Sequence, residues 1–229
     1  MLQKKIDKLP EWDLSDLYDA PESVSFNADL EQLKKSVHDF EAEYKKAILI
    51  KDAPIGENVK RLKKSIVSYE KILNSMGKLS GYATLHHVTA TNDPGRTKFY
   101  GDTQVKITEI SNKIIFYELE LNSLSEKVLE NLLNDKELAA YKAWFENIRK
   151  YKPHQLSDKV EQIFHDKSMT SFSAWNRLFD QTISNMKVDM GGESKSLEEA
   201  LNYLLSPHEK DRKKAFLSVT ERLRENIPL

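Results

Sequence analysis

The sequence predicts a mainly α protein: an antiparallel helical bundle followed by shorter helices, with one small β-hairpin near residues 186–196. Three observations carry this. Apolar residues recur at intervals of three and four over long stretches, as one face of a helix requires. Only seven glycines and seven prolines punctuate 229 residues. One segment alone, "MKVDMGGESKSL", alternates apolar and polar residues beside a pair of glycines that allow a tight reversal.

From the N-terminus, "LPEWDLSDLY" has the form of a helix start. Asp13 is placed to cap, Asp16 falls at the third helical position, and Trp12 before the cap faces Leu17, a hydrophobic staple that would bury the indole. A first apolar stripe runs Phe26, Leu30, Leu33, Val37, Phe40, Tyr44 and Ala47. After the break at "DAPIG" a second runs Val59, Leu62, Ile66, Tyr69, Leu73 and Met76. After "TNDPG" a third carries Val105, Ile107, Ile110, Ile114, Tyr117 and Leu121. Three long stripes on short connections imply antiparallel helices packed as a bundle.

Glu31 with Lys35, Glu41 with Lys45, Glu57 with Arg61 and Glu109 with Lys113 each place an acid four residues before a base. Such pairs support a wet helix face by roughly 0.2–0.5 kcal/mol each. Their regularity argues against paired carboxylates for acid and base catalysis. Beyond Leu124 the helices shorten to "SEKVLENLLN", "DKELAAYKAWFENIRKYK", "SDKVEQIFHDK" and "SFSAWNRLFDQTI", each opening on a serine or aspartate placed to cap. In the hairpin segment Val188 and Met190 alternate with polar neighbours around Gly191 and Gly192. Ser196 and Glu199 then form a capping box for "LEEALNYLL". The last helix carries Phe216, Val219, Leu223 and Ile227 on one stripe, which needs a surface to cover it.

Composition bounds the function. With 39% hydrophobic residues the chain buries roughly 70% of its unfolded surface, enough for one large or two modest domains. Its 35 Lys and Arg balance 36 Asp and Glu, so no global field favours nucleic acid or anionic lipid. The absence of cysteine excludes disulfides, thiolate metal sites and a thiol nucleophile. No apolar run approaches a membrane span, and the basic N-terminus has no apolar stretch behind it, so a cytoplasmic location is expected.

"SPHEKDR" contains the first half of the zinc-peptidase signature H-E-x-x-H, which places two imidazoles at i and i+4 on one helix face. The second position is Arg212, which has no lone pair for a metal. The segment reads instead as a helix start, with Ser206 as N-cap, Pro207 at the first helical position and Glu209 at the third. His86 and His87 are consecutive on a helix and diverge by about 100 degrees. His154 follows Pro153 at a helix exit, and His165 lies beside Asp166 near a helix end. None has the helical partners of a zinc site. No phosphate-binding glycine loop, nucleophile elbow or dinucleotide fingerprint is present.

"LPEWDLSDLY", "KPHQLSDKVEQIFHDKSMTSFSAWNRLFDQ" and "LEEALNYLLSPHEKDRKKAF", in that order, resemble three landmarks of oligoendopeptidase F, in the thimet-oligopeptidase-like family of zinc metallopeptidases. The resemblance covers the whole chain and implies three parts: an N-terminal helical bundle (1–124), a second helical region (125–190) and the start of the catalytic domain (191–229). It implies Zn2+ in the complete enzyme, hydrolysis of oligopeptides, and a deep cleft of which this region forms one wall. The family's ligands, two histidines of H-E-x-x-H and a later glutamate, belong to its C-terminal half. No residue here matches them, so none is assigned a catalytic, cofactor-binding or metal-ligating role.

The chain is therefore expected to be the N-terminal portion of a cytoplasmic zinc oligoendopeptidase, inactive and metal-free alone. Its expected partners are oligopeptide substrates in the complete enzyme and the missing C-terminal catalytic half, with no nucleic acid and no membrane. The rival reading is a stand-alone helical module that binds another protein through an exposed stripe.

Overall fold

The computed structural model describes residues 12–91 and 93–226, mainly helical with one two-stranded sheet. They form two compact units, one of residues 12–90 and 95–169, the other of residues 91, 93–94 and 170–226.

In the first unit, α1 (Val24–Tyr44) starts where the Ser23 hydroxyl accepts from the Phe26 N–H at 3.3 Å. Phe26, Leu30, Leu33, Val37, Phe40 and Tyr44 are buried, so the stripe read from the sequence faces the core to the last turn. Ala47 lies past the helix end and is exposed. The chain leaves α1 through Lys46, whose φ of 62° is left-handed and whose N–H donates to both Glu120 carboxylate oxygens at 2.9 and 3.0 Å. Asn58 closes the following loop by accepting from the Ile50 N–H and donating to the Ile50 carbonyl, at 2.7 and 3.1 Å.

The long helix α2 (Ile55–Val88) organises the unit. Lys78 binds Asp29, Phe40 meets Tyr69, and Lys64 binds Glu43, so partners on α1 advance as those on α2 retreat: the two helices are antiparallel. Gln104 to Ser80, Phe99 to Tyr82 and Thr97 to His87 give the same sense for α3 (Pro94–Ser111) against α2. A 3-10 turn at Asn112–Ile114 joins α3 to α4 (Ile115–Ser123), so the third stripe belongs to an interrupted helix; Ile107, Ile110, Ile114, Tyr117 and Leu121 are buried, whereas Val105 is exposed.

The core between these helices is aromatic. Phe40, Tyr69, Phe116 and Tyr117 form one ring cluster, with centroids 4.7 to 6.4 Å apart across its tilted and edge-to-face pairs. The Tyr117 hydroxyl meets Ser65 Oγ at 2.7 Å in a fully buried pair, and burial pushes the phenol's pKa well up. Shorter helices close the end of the bundle. Ser125 caps α5 (Glu126–Leu133), its hydroxyl accepting from the Val128 N–H. Asp135 closes a turn by accepting from the Glu137 N–H, and α6 (Lys142–Lys150) begins only after a further 3-10 turn. From α6 the Arg149 guanidinium donates to the carbonyls of Asn122 and Leu124 at 3.2 and 2.9 Å, satisfying the orphan acceptors at the C-terminus of α4. The helix α7 (Asp158–Ser168) packs beside α4.

The expected staple at the start does not form. Trp12 is 72% exposed, and residues 15–17 form a turn rather than a helix. The Asp13 carboxylate accepts from the N–H of Ser15, two residues on, which closes an Asx-type turn in place of a helical cap. That turn aims Tyr18 inward instead: its ring is buried against Phe26 and Tyr82, and its hydroxyl donates to Asp29 at 2.8 Å.

The second unit holds α8 (Phe172–Asn185), β1 (Lys187–Asp189), β2 (Ser194–Ser196), α9 (Leu197–Asn202) and α10 (Glu209–Glu225). The predicted hairpin is present, antiparallel, with Val188 opposite Lys195. Gly191 and Gly192 take φ of 75° and 95°, and the Gly192 N–H donates to Asp189 Oδ1 at 2.6 Å. The capping box also forms: the Ser196 N–H donates to Glu199 Oε2 at 2.7 Å, and the Glu199 N–H to Ser196 Oγ at 3.2 Å. Met186, Val188, Met190, Leu197, Ala200, Ala215 and Val219 make a separate small core.

Candidate functional site

The segment around His208 and Glu209 is built as a helix start, by a different device from the one its sequence suggests. The helix α10 begins at Glu209 with His208 as N-cap. Ser206 lies outside the helix; its hydroxyl accepts from the His208 N–H at 3.2 Å and donates to Asp211 Oδ2 at 3.1 Å. Arg212, in the place of the second histidine of the zinc signature, donates through Nη1 to the carbonyls of Ser206 and Pro207 at 2.8 and 3.1 Å. The guanidinium thus holds the turn that leads into the helix, a task an imidazole at that position could not reach with the same fork of donors.

The other histidines are dispersed. His86 stacks on Tyr82 with ring centroids 5.8 Å apart, while His87 stacks on Tyr100 at 5.0 Å, so the two side chains serve different helix contacts. His165 Nε2 lies 3.3 Å from Ser111 Oγ, beside the pairing of Asn112 with Asp166. His154 is exposed in a 3-10 turn. Among the described residues no three His, Asp or Glu side chains come together in a way that could hold a metal ion.

The surface charges settle into pairs that stabilise the fold. Glu41 binds Lys45 at 2.7 Å as its spacing predicts. Glu31 takes Lys34, one residue short of the expected Lys35. Arg61 turns away from Glu57 and caps the end of α1, donating to the carbonyls of Ala47 and Glu43 at 2.9 and 2.6 Å while lying over the Tyr44 ring. Glu120 shows the clearest electrostatic tension: burial raises its pKa, and the two hydrogen bonds from the Lys46 N–H oppose the rise. Its partner is a backbone N–H, so the side chain anchors the turn at Lys46.

One surface feature is apolar. In α8, Phe172 is 71%, Trp175 68%, Leu178 51% and Phe179 65% exposed. Phe216 and Leu223, two members of the predicted α10 stripe, are also exposed, and only Val219 between them is buried; Ile227 lies outside the described residues. Sequence spacing placed these side chains on helices, but spacing alone does not tell a covered stripe from a bare one.

No helix among the described residues is long and apolar enough to cross a membrane. A family model described as Oligopeptidase F matches residues 120–187. The chain is 24% identical over 227 residues to an oligoendopeptidase F homolog of Borreliella burgdorferi, covering 98% of this chain and 36% of that protein. It is likewise 24% identical over 237 residues to oligopeptidase PepF of Bacillus subtilis, covering 95% of this chain and 33% of that one. The chain thus spans about a third of the length of these curated relatives. Its fold is similar to a crystal structure of oligoendopeptidase-F from Enterococcus faecium, with a TM-score of 0.71 over 88% of this chain and 38% of that one, at 16% identity.

Proposed function

Starting from a chain related to the N-terminal region of oligoendopeptidase F, we propose that it serves as the helical N-terminal portion of a zinc-dependent oligoendopeptidase that hydrolyses peptide bonds in short peptides. In this reading the helices shape one wall of the cleft that receives the peptide, and restrict it by shape. Residues 1–124 and 125–190 supply the helical parts, and residues from 191 open the catalytic domain. The zinc, its ligands and the general base come from polypeptide that these residues do not supply, and the complete enzyme works in the cytoplasm. The observation that carries the reading is the match along nearly all of this chain to proteins about three times as long.

The test is reconstitution. The purified chain, assayed with a quenched fluorescent peptide and by metal analysis, is expected to hold no stoichiometric zinc and to cleave nothing. Mixed with the part of the Bacillus subtilis relative that lies outside the matched third, it is expected to yield cleavage that a chelator abolishes. One tightly held zinc per chain, or chelator-sensitive cleavage by the chain alone, would overturn the proposal.

A further inference from the structure

We infer that the groove between α1 and α2 is a binding site for a small zwitterion, a dipeptide with a free ammonium at one end and a free carboxylate at the other. The inference goes beyond the proposed function and does not depend on it. The groove has a volume of about 260 Å³, and every residue along it belongs to these two helices of the first unit. Pockets that take drug-sized molecules measure roughly 300–1,000 Å³, so the occupant is smaller. Phe40, Tyr44 and Ile72, all buried, make the floor. The walls are polar, with Ser36, Asp39 and Glu43 on α1 facing Ser68, Lys71 and Ser75 on α2.

The charges along the groove select the occupant. Glu43 is matched by Lys64 at 2.8 Å and by Arg61 at 3.9 Å. Asp39 on one wall and Lys71 on the other border the same groove, yet neither side chain has a hydrogen-bond or ion-pair partner among the described residues. A lone cation would face the Lys71 ammonium and a lone anion the Asp39 carboxylate, whereas a molecule with both signs meets each with its opposite. The contacts of Phe40 with Tyr69 and of Glu43 with Lys64 set the antiparallel register, which puts Asp39 level with Ser68 and Lys71 level with Ser36. The two charges therefore stand on opposite walls, offset along the helix axes by about 4.5 Å. A free amino acid carries both charges on one carbon. A dipeptide sets them on successive Cα atoms about 3.8 Å apart, which suits that diagonal. Between the ends, the Ser68 hydroxyl has no partner among the described residues, and Ser36 Oγ accepts from Gln32 Nε2 at 3.3 Å and keeps its own proton to donate. Both can take up the groups of a peptide unit.

The experiment titrates the whole chain with alanyl-leucine by calorimetry, beside its N-acetylated form, its C-terminal amide and free leucine. Saturable binding of alanyl-leucine is expected, with at least about tenfold weaker binding of each blocked form and of leucine, through loss of one charge-assisted contact. Asp39→Asn is expected to weaken alanyl-leucine at least about tenfold and to stop distinguishing it from the acetylated form, while still rejecting the amide. Lys71→Gln is expected to show the converse. Both side chains are exposed, so both variants should keep the melting temperature of the parent chain; if Asp39→Asn does not, Asp39→Ser replaces it. No saturable binding of alanyl-leucine overturns the inference. Binding that the blocked ends or both variants leave unchanged places the dipeptide elsewhere and overturns it too. Leucine binding as tightly as alanyl-leucine assigns the groove to single amino acids and overturns the dipeptide. Each of these results leaves the reconstitution that tests the proposed function untouched.

Discussion

Tyr117 joins two roles that a sequence shows only in part. Its ring belongs to the third apolar stripe, which the spacing reveals; its hydroxyl pairs with Ser65, a serine that sits among apolar neighbours on α2 without any local mark. Tyr117→Phe keeps the ring and removes the partner, and should lower stability by about 1 kcal/mol, because Ser65 Oγ still donates to the Leu62 carbonyl. Tyr117→Ala removes the ring as well and should cost about 3–5 kcal/mol by urea unfolding, as large aromatic truncations in a core do. Trp12→Ala should change stability by less than about 0.5 kcal/mol, since the ring is mostly in solvent. The contrast between these two aromatics explains where reading from the sequence fails at this scale. A staple and an Asx turn begin with the same residues, and the choice between them depends on which N–H the Asp13 carboxylate accepts from.

At the scale of elements, helices and their ends were legible to different degrees. The stripe of α1 is legible as far as Tyr44, because one helix face meets one core, and fails only at Ala47, past the helix end. On α2 the same logic gives Val59, Leu62, Ile66 and Tyr69 and then slips: Ile72 is buried and Leu73 is 43% exposed. A straight helix drifts against a seven-residue repeat, and α2 runs 34 residues between α1 on one side and α3 with α4 on another, so its buried face widens and turns. The hairpin and the Ser196 capping box were legible because both depend on neighbours within a few residues. Arg149 and Arg61 were not, since each caps a helix far from its own position in sequence. Ser196→Ala should cost about 1 kcal/mol, read as a lower melting temperature, and Gly192→Ala a comparable amount because φ of 95° strains any side chain there.

Across the whole molecule, stability is divided unevenly. The core of the first unit extends from Tyr18 to Ile148, whereas that of the second unites seven buried side chains, two of them alanines. Hydrogen exchange should therefore reach α10 at lower denaturant than α2, and coincident opening of the two would refute a separate second unit. Acid should act on the first unit through Asp29. The Lys78 ammonium and the Tyr18 hydroxyl hold its carboxyl below the ordinary value of 3.8, so its contribution is present above that pH and is lost as pH falls toward the lowered value. Asp29→Asn should remove this acid sensitivity, visible as a smaller loss of urea midpoint between about pH 5 and pH 2. The antiparallel pairing of α1 with α2 and of α2 with α3 has a consequence for the order of events during synthesis. Each partner is the next helix along the chain, so the loops to be closed are short and local, the arrangement that favours rapid folding. A ribosome adds about 5–20 residues per second, far slower than local helix pairing, so the aromatic core can assemble while later residues are still being translated. The helices of the first unit can then be packed before those of the second are made.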